Sequence, residues 1–127
     1  KRFGELEMPI VDNGAGLSRE ARISAQSLAK MLQAAWAAPV MPELVASLPV
    51  VGVDGTLRRS QSSATGSAHL KTGSLRDVSA VAGYVHAADG QRYVLAAMIN
   101  HANAQAARPA LDALIDWTAR LPGAVQK

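Results

Sequence analysis

Two runs of residues, 78–86 and 92–100, are apolar on both of their faces, and few architectures tolerate that. In the first, Val78, Ala80, Ala82 and Tyr84 alternate with Val81, Gly83 and Val85. In the second, Tyr93, Leu95, Ala97 and Ile99 alternate with Val94, Ala96 and Met98. Successive side chains of a strand point to opposite sides, so a sheet built from these runs needs a covering layer on each side. Between them, Ala87-Ala88-Asp89-Gly90-Gln91 places Asp-Gly between β-branched runs, a hairpin signal. Residues 70–72 supply a preceding strand.

The covering layers are helical. From Ser24 onward, Leu28, Met31, Leu32, Ala35 and Trp36 recur at helical spacing, with Ser24 as N-cap and Pro39 as stop, so a helix is expected over 25–38. A brief helix over 43–47 and a turn at Asp54-Gly55 follow. The closing helix, 104–121, sets Leu111, Leu114, Ile115, Thr118 and Leu121 on one stripe and stops at Pro122-Gly123; Pro109 marks its first turn or a kink. Asp112 and Asp116 on that helix read as solvated. Residues 60–67 (SQSSATGS) read as a mobile loop.

Several classes of function are excluded or made remote. The 127 residues suffice for one domain or a piece of a larger one. A formal charge of +3, spread over 13 basic and 10 acidic residues, is a solvated surface and not a nucleic-acid footprint; even the Arg58-Arg59 pair is an ordinary surface feature. With no cysteine, disulfides and thiol chemistry are out, while the compartment stays open. His69, His86 and His101 are not at metal-ligand spacing, and no metal or cofactor is expected. No apolar run approaches the roughly 18 to 20 residues of a membrane span. The opening Lys1-Arg2-Phe3-Gly4-Glu5 has neither a starting methionine nor a signal-peptide core behind it, and reads as the start of a processed or excised segment.

Chemistry concentrates at Lys71-Thr72-Gly73, after the polar loop and before the hairpin. Three residues alone would be an ordinary strand-to-turn junction, but their surroundings form a pattern. Asp12-Asn13-Gly14-Ala15-Gly16-Leu17-Ser18-Arg19 precedes the first helix. Leu48-Pro49 and Gly52-Val53-Asp54-Gly55-Thr56-Leu57 follow it. His69-Leu70-Lys71-Thr72-Gly73-Ser74-Leu75 then leads to Val81-Ala82-Gly83-Tyr84-Val85. Together these blocks resemble the D-Ala-D-Ala carboxypeptidases and endopeptidases of the penicillin-binding protein 4 type, peptidase family S13, which carry Ser-x-x-Lys, Ser-x-Asn and Lys-Thr-Gly elements. Asn13 and Ala15 stand where aspartate and serine are usual, which bears on polar contacts from that turn.

The resemblance implies an α/β (α+β) fold of the β-lactamase/transpeptidase type, a mainly antiparallel sheet flanked by helices, incomplete in this chain. Residues 1–127 would be the C-terminal part of the catalytic domain. It implies a serine-type peptidase of the periplasm or cell envelope, acting on peptidoglycan stem peptides through an acyl-enzyme and acylated by β-lactams. Lys71 would be catalytic. Lys71, Thr72, Gly73 and Ser74 would bind substrate: an ammonium and a hydroxyl for the peptide carboxylate, and a glycine that keeps the strand wall clear for an acyl donor lying along its edge.

No Ser-x-Asn occurs in the chain, and the nucleophile segment of the family belongs far upstream. Ser27-Leu28-Ala29-Lys30 fits Ser-x-x-Lys literally, but at 100° per residue Ser27 and Lys30 fall opposite the apolar stripe and are expected to face solvent. This chain by itself is therefore expected to be inactive and, with part of its sheet uncovered, to self-associate. A β-lactamase or esterase relative, or a scaffold that has lost catalysis, are the alternatives.

Overall fold

The computed structural model describes residues 8–13, 18, 20–53, 55 and 64–122. Asp54, Arg58, Arg59, residues 60–63 of the polar loop, Gly123 and most of the Gly-Leu-Ser block lie outside the described residues.

Helix α1 (Ala25–Trp36) starts where capping chemistry places it: Ser24 is extended, and its hydroxyl oxygen accepts the Ser27 N–H at 3.1 Å. It ends two residues short of expectation, because the Ala38 N–H already bonds the Ala35 carbonyl in a tightened turn and Pro39 disfavours helix in the residue before it. The short α2 (Met41–Ser47) begins ahead of residue 43, with Pro42 in its first turn, where a missing N–H costs nothing.

Three strands form one antiparallel sheet in the order β1-β2-β3. β2 (Val78–His86) and β3 (Arg92–Asn100) lie where the alternation puts them. β1 (Ala68–Leu75) is longer than 70–72, because every one of its residues finds a partner on β2, from Ala68 opposite Val85 to Leu75 opposite Val78. In the β2–β3 connection Gly90 takes φ +79°, its N–H bonds the Ala87 carbonyl, and Asp89 accepts the Gln91 N–H and the Tyr93 hydroxyl.

Register assigns the two faces. Leu70, Val81 and Leu95 share one face and pack on Leu111, Ile115 and Ala119 of α3 (Arg108–Ala119), forming the core with Val51 and Ala64. His69, Lys71, Ala82, Tyr84 and Val94 share the other, which α1 partly covers: the buried Tyr84 donates its hydroxyl to the Leu32 carbonyl at 2.6 Å and its ring meets Trp36 at 5.0 Å. Both apolar faces thus receive a helical layer, although Ala80, Ala82, Ala96 and Met98 remain only half-buried.

Three expectations need correction. The closing helix is not continuous over 104–121: a 3-10 turn (Ala104–Ala107) precedes α3, whose second residue is Pro109, a proline of the first turn rather than a kink. Ser27 does not face solvent but is 5% exposed, because the cap folds over it: the Ser24 hydroxyl donates to Ser27 Oγ at 2.9 Å. Lys30 is exposed as expected. Asp112 and Asp116 are paired rather than merely solvated, with Arg108 and Arg120 each one helical turn away.

Candidate functional site

Among the described strands β1 lies at the edge of the sheet, and its outer side is bridged at its beginning. The Val51 N–H donates to the Ala68 carbonyl and the Leu70 N–H to the Pro49 carbonyl, both at 2.9 Å, so residues 49–51 run beside the beginning of the strand. Backbone groups of a strand alternate in direction, and those of residues 68 and 70 point outward, so those of Thr72 and Ser74 do too. Beyond Leu70 no described strand lies against that edge. Lys71, Thr72, Gly73 and Ser74 lie on this later half of the strand.

Lys71 and Ser74 are exposed and Thr72 is half-buried. The Lys71 and Thr72 side chains leave opposite faces of the strand, but the lysine curls back: its Nζ donates to the Thr72 carbonyl at 2.7 Å. Because that carbonyl points outward, the ammonium stands on the outer edge of the strand and not over the middle of the sheet. The structure therefore brings an ammonium to the outer border of the strand, a group that suits a carboxylate-bearing extended peptide.

Two glycines of the sheet behave differently. A Cβ on Gly83 would lie 2.1 Å from the His69 carbonyl oxygen, and its φ of +152° is one that other residues rarely adopt; this glycine lets β1 and β2 approach. Among the described residues a Cβ on Gly73 would meet only the Ala80 Cβ, at 3.9 Å, an ordinary contact that gives no reason for a glycine at position 73.

Some supporting residues escape a reading of the sequence. The Gln105 side-chain amide donates to the carbonyls of Leu75 (2.6 Å) and Val78 (3.1 Å), bracing the β1–β2 turn, where the His101 N–H also bonds the Asp77 carbonyl. Nothing local to Ala104-Gln105 marks that role. The histidines, scattered in sequence, are partly gathered by strand pairing: the His69 and His86 rings lie 6.4 Å apart. His86 pairs with Arg92, whose Nε donates to His86 Nε2 at 3.1 Å, and the hairpin register alone foretells that contact. Burial, then the Arg92 charge and His69, lower the His86 pKa. Burial raises that of Tyr84. Among the described residues no group of three or more His, Cys, Asp or Glu is placed to hold a metal ion. Nor is any helix long and apolar enough to cross a membrane.

Residues 5–121 match the sequence profile of the D-Ala-D-Ala carboxypeptidase 3 (S13) family. A D-alanyl-D-alanine carboxypeptidase from Actinomadura sp. (strain R39) is 37% identical over 89 residues, 65% of this chain and 16% of that protein. A solved structure, penicillin binding protein 4 (dacB) from Haemophilus influenzae, matches with a TM-score of 0.66 at 25% identity, over 91% of this chain and 28% of that one. The chain thus spans well under a third of the length of the relatives it matches.

Proposed function

The chain belongs to the D-Ala-D-Ala carboxypeptidase 3 (S13) family, and on that premise we propose that it forms one wall of the active site of a serine-type D-Ala-D-Ala carboxypeptidase. The substrate is a peptidoglycan stem peptide and the place of action the periplasm or cell envelope. The observation that carries this reading is the Lys71-Thr72-Gly73 stretch of a strand at the edge of the described sheet, with the lysine ammonium held at the Thr72 carbonyl.

In the proposed reaction a serine hydroxyl from a segment outside this chain attacks the carbonyl of the D-Ala-D-Ala bond. The C–N bond breaks, the terminal D-alanine leaves with a proton on its nitrogen, and water then hydrolyses the ester to regenerate the serine. Lys71 and the Thr72 hydroxyl bind the terminal carboxylate. The acyl donor lies along this strand border as an added strand. Gly73 leaves room for that donor, which accounts for a glycine that packing does not require. A charged side chain prepositioned at the strand border also aids the proton transfers of acylation. β-Lactams acylate the same serine.

Ser27 is not that serine: it is buried and engaged at the helix cap. Labelled penicillin should therefore acylate the protein that carries Ser-x-x-Lys and Ser-x-Asn together with these residues, and leave the 127-residue chain unlabelled. Lys71→Ala in the complete enzyme should slow acylation by two orders of magnitude or more, on the order of one lost charge-assisted contact. Wild-type labelling of that variant would remove Lys71 from the machinery, and no labelling of the intact folded enzyme would favour a scaffold that has lost catalysis. The isolated chain, with half-buried Ala80, Ala82, Ala96 and Met98, is further expected to self-associate, and a monomer in light scattering at high concentration would contradict that.

A further inference from the structure

Away from the Lys71 border, a cavity of about 330 Å³ opens between α1 and the β2–β3 hairpin, lined among others by Ala29, Gln33, Trp36, Tyr84, Arg92 and Val94. That is the small end of the roughly 300 to 1,000 Å³ range of small-molecule sites. Its walls are fixed. The Tyr84 hydroxyl is tied to the Leu32 carbonyl, and the Trp36 ring leans on Tyr84 at 5.0 Å. Arg92, the one charged lining residue among those described, is held from two sides: its guanidinium lies 5.1 Å from the Trp36 ring centre, and its Nε donates to His86 Nε2.

Arg92 nevertheless has no carboxylate within ion-pair distance among the described residues, whereas Arg108 and Arg120, at the two ends of α3, each have one. Holding an arginine in one rotamer has an entropic cost that an aspartate at this position would help to offset. Here the Nε is used, and the two terminal nitrogens, the fork that matches a carboxylate, have no partner among the described residues. The same cavity is lined by Gln33, whose amide is a further donor, and by the apolar surface of Trp36, Val94 and Ala29.

We propose that this cavity binds a small organic carboxylate with an apolar or aromatic body, its carboxylate on Arg92 and its body against Trp36 and Val94. The site is separate from the Lys71 border and independent of the reaction proposed there. Its ligand chemistry is shared by free acids and by the C-terminus of a peptide that ends in an apolar residue.

Calorimetric titration of the complete protein with 3-phenylpropionate, with 3-phenylpropanamide, and with acetyl-glycyl-phenylalanine as free acid and as amide tests this. Both acids should bind and both amides should bind about tenfold or more weakly. The tighter of the two acids tells a free acid from a chain terminus. Arg92→Gln should weaken the acids by about tenfold to a hundredfold, the range of a charge-assisted hydrogen bond. Arg92→Lys, which keeps the charge but loses the fork, should fall between. Because Arg92 is exposed, melting temperatures should stay close to wild type, and penicillin labelling should be unaffected by Arg92→Gln or by saturating 3-phenylpropionate. Equal affinity for acids and amides, unchanged affinity in Arg92→Gln, or no saturation of any acid by about 10 mM, where binding would be worth under about 3 kcal/mol, would each overturn the proposal.

Discussion

Replacing Gly83 with alanine puts a methyl group where the His69 carbonyl already stands. The added carbon would lie 2.1 Å from that oxygen and 3.0 Å from the Leu70 Cα, both backbone atoms of the facing strand. A carbon and a carbonyl oxygen approach to about 3.3 Å, so β1 and β2 must separate by about 1 Å at this point. Neither side can yield by rotating a side chain. Ladder bonds on either side lengthen beyond useful geometry, at about 0.5 to 1.5 kcal/mol each. Holding alanine at the φ of +152° adds about 1 to 3 kcal/mol. The sum, about 2 to 6 kcal/mol, is a large part of the roughly 5 to 15 kcal/mol of a typical domain.

Urea and thermal unfolding followed by circular dichroism should therefore show Gly83→Ala lowering the melting temperature by about 10 °C or more, at the few degrees per kcal/mol of domains this size. Gly73→Ala is the counterpart. With an ordinary 3.9 Å contact to Ala80 and no unusual backbone angle, it should leave stability unchanged or raise it by up to about 1 kcal/mol. In the complete enzyme it should nonetheless slow acylation by labelled penicillin, since the methyl group enters the space assigned to the acyl donor. A Gly83→Ala protein melting within about 2 °C of wild type would refute the steric argument. Unchanged acylation in Gly73→Ala would refute the placement of the substrate.

Three further outcomes are expected. Tyr84→Phe removes the buried hydroxyl from the Leu32 carbonyl and should cost about 1 kcal/mol in urea unfolding; no loss would mean that aromatic packing alone joins α1 to the sheet. Gln105→Ala should cost about 1 kcal/mol and speed amide exchange at the β1–β2 turn without altering the rest of the sheet, and unchanged exchange there would deny Gln105 its bracing role. His86, lowered by burial and by the Arg92 and His69 charges, binds protons less readily folded than unfolded. Its contribution is therefore present above the unfolded value of about 6.5 and lost as pH falls from there toward the lower folded value. Melting temperature measured from pH 7.5 to 5 should fall less steeply in His86→Gln than in wild type, and identical slopes would count against this assignment.

The extent of the hairpin strands was legible because their signal is local. Alternating β-branched and apolar residues on either side of Asp89-Gly90 specify two strands and the turn between them, and both strands lie where that pattern puts them. Ser24 announced the start of α1 for the same reason: a cap acts on an amide three residues away. The end of α1 and the break before α3 were less legible, since they depend on which of two similar hydrogen-bond patterns closes a turn. Ser27 was misjudged because helical periodicity counts faces and does not know that the cap hydroxyl will fold over the first turn.

By itself the sequence determined the strands, the first cap, the two-sided demand for covering layers and, through the blocks around Lys71-Thr72-Gly73, the family. Only the tertiary structure decided that α3 takes the face of Leu70 and α1 the face of Tyr84, because both faces are apolar and alternation cannot rank them. It alone revealed that Gly83 serves close approach while Gly73 does not, that the Lys71 ammonium reaches the outer edge, and that Arg92 is clamped between Trp36 and His86. The physical reason is range. Periodicity and capping act over a few residues, whereas the contact of Tyr84 with Leu32 joins positions 52 apart and exists only once the chain has closed on itself.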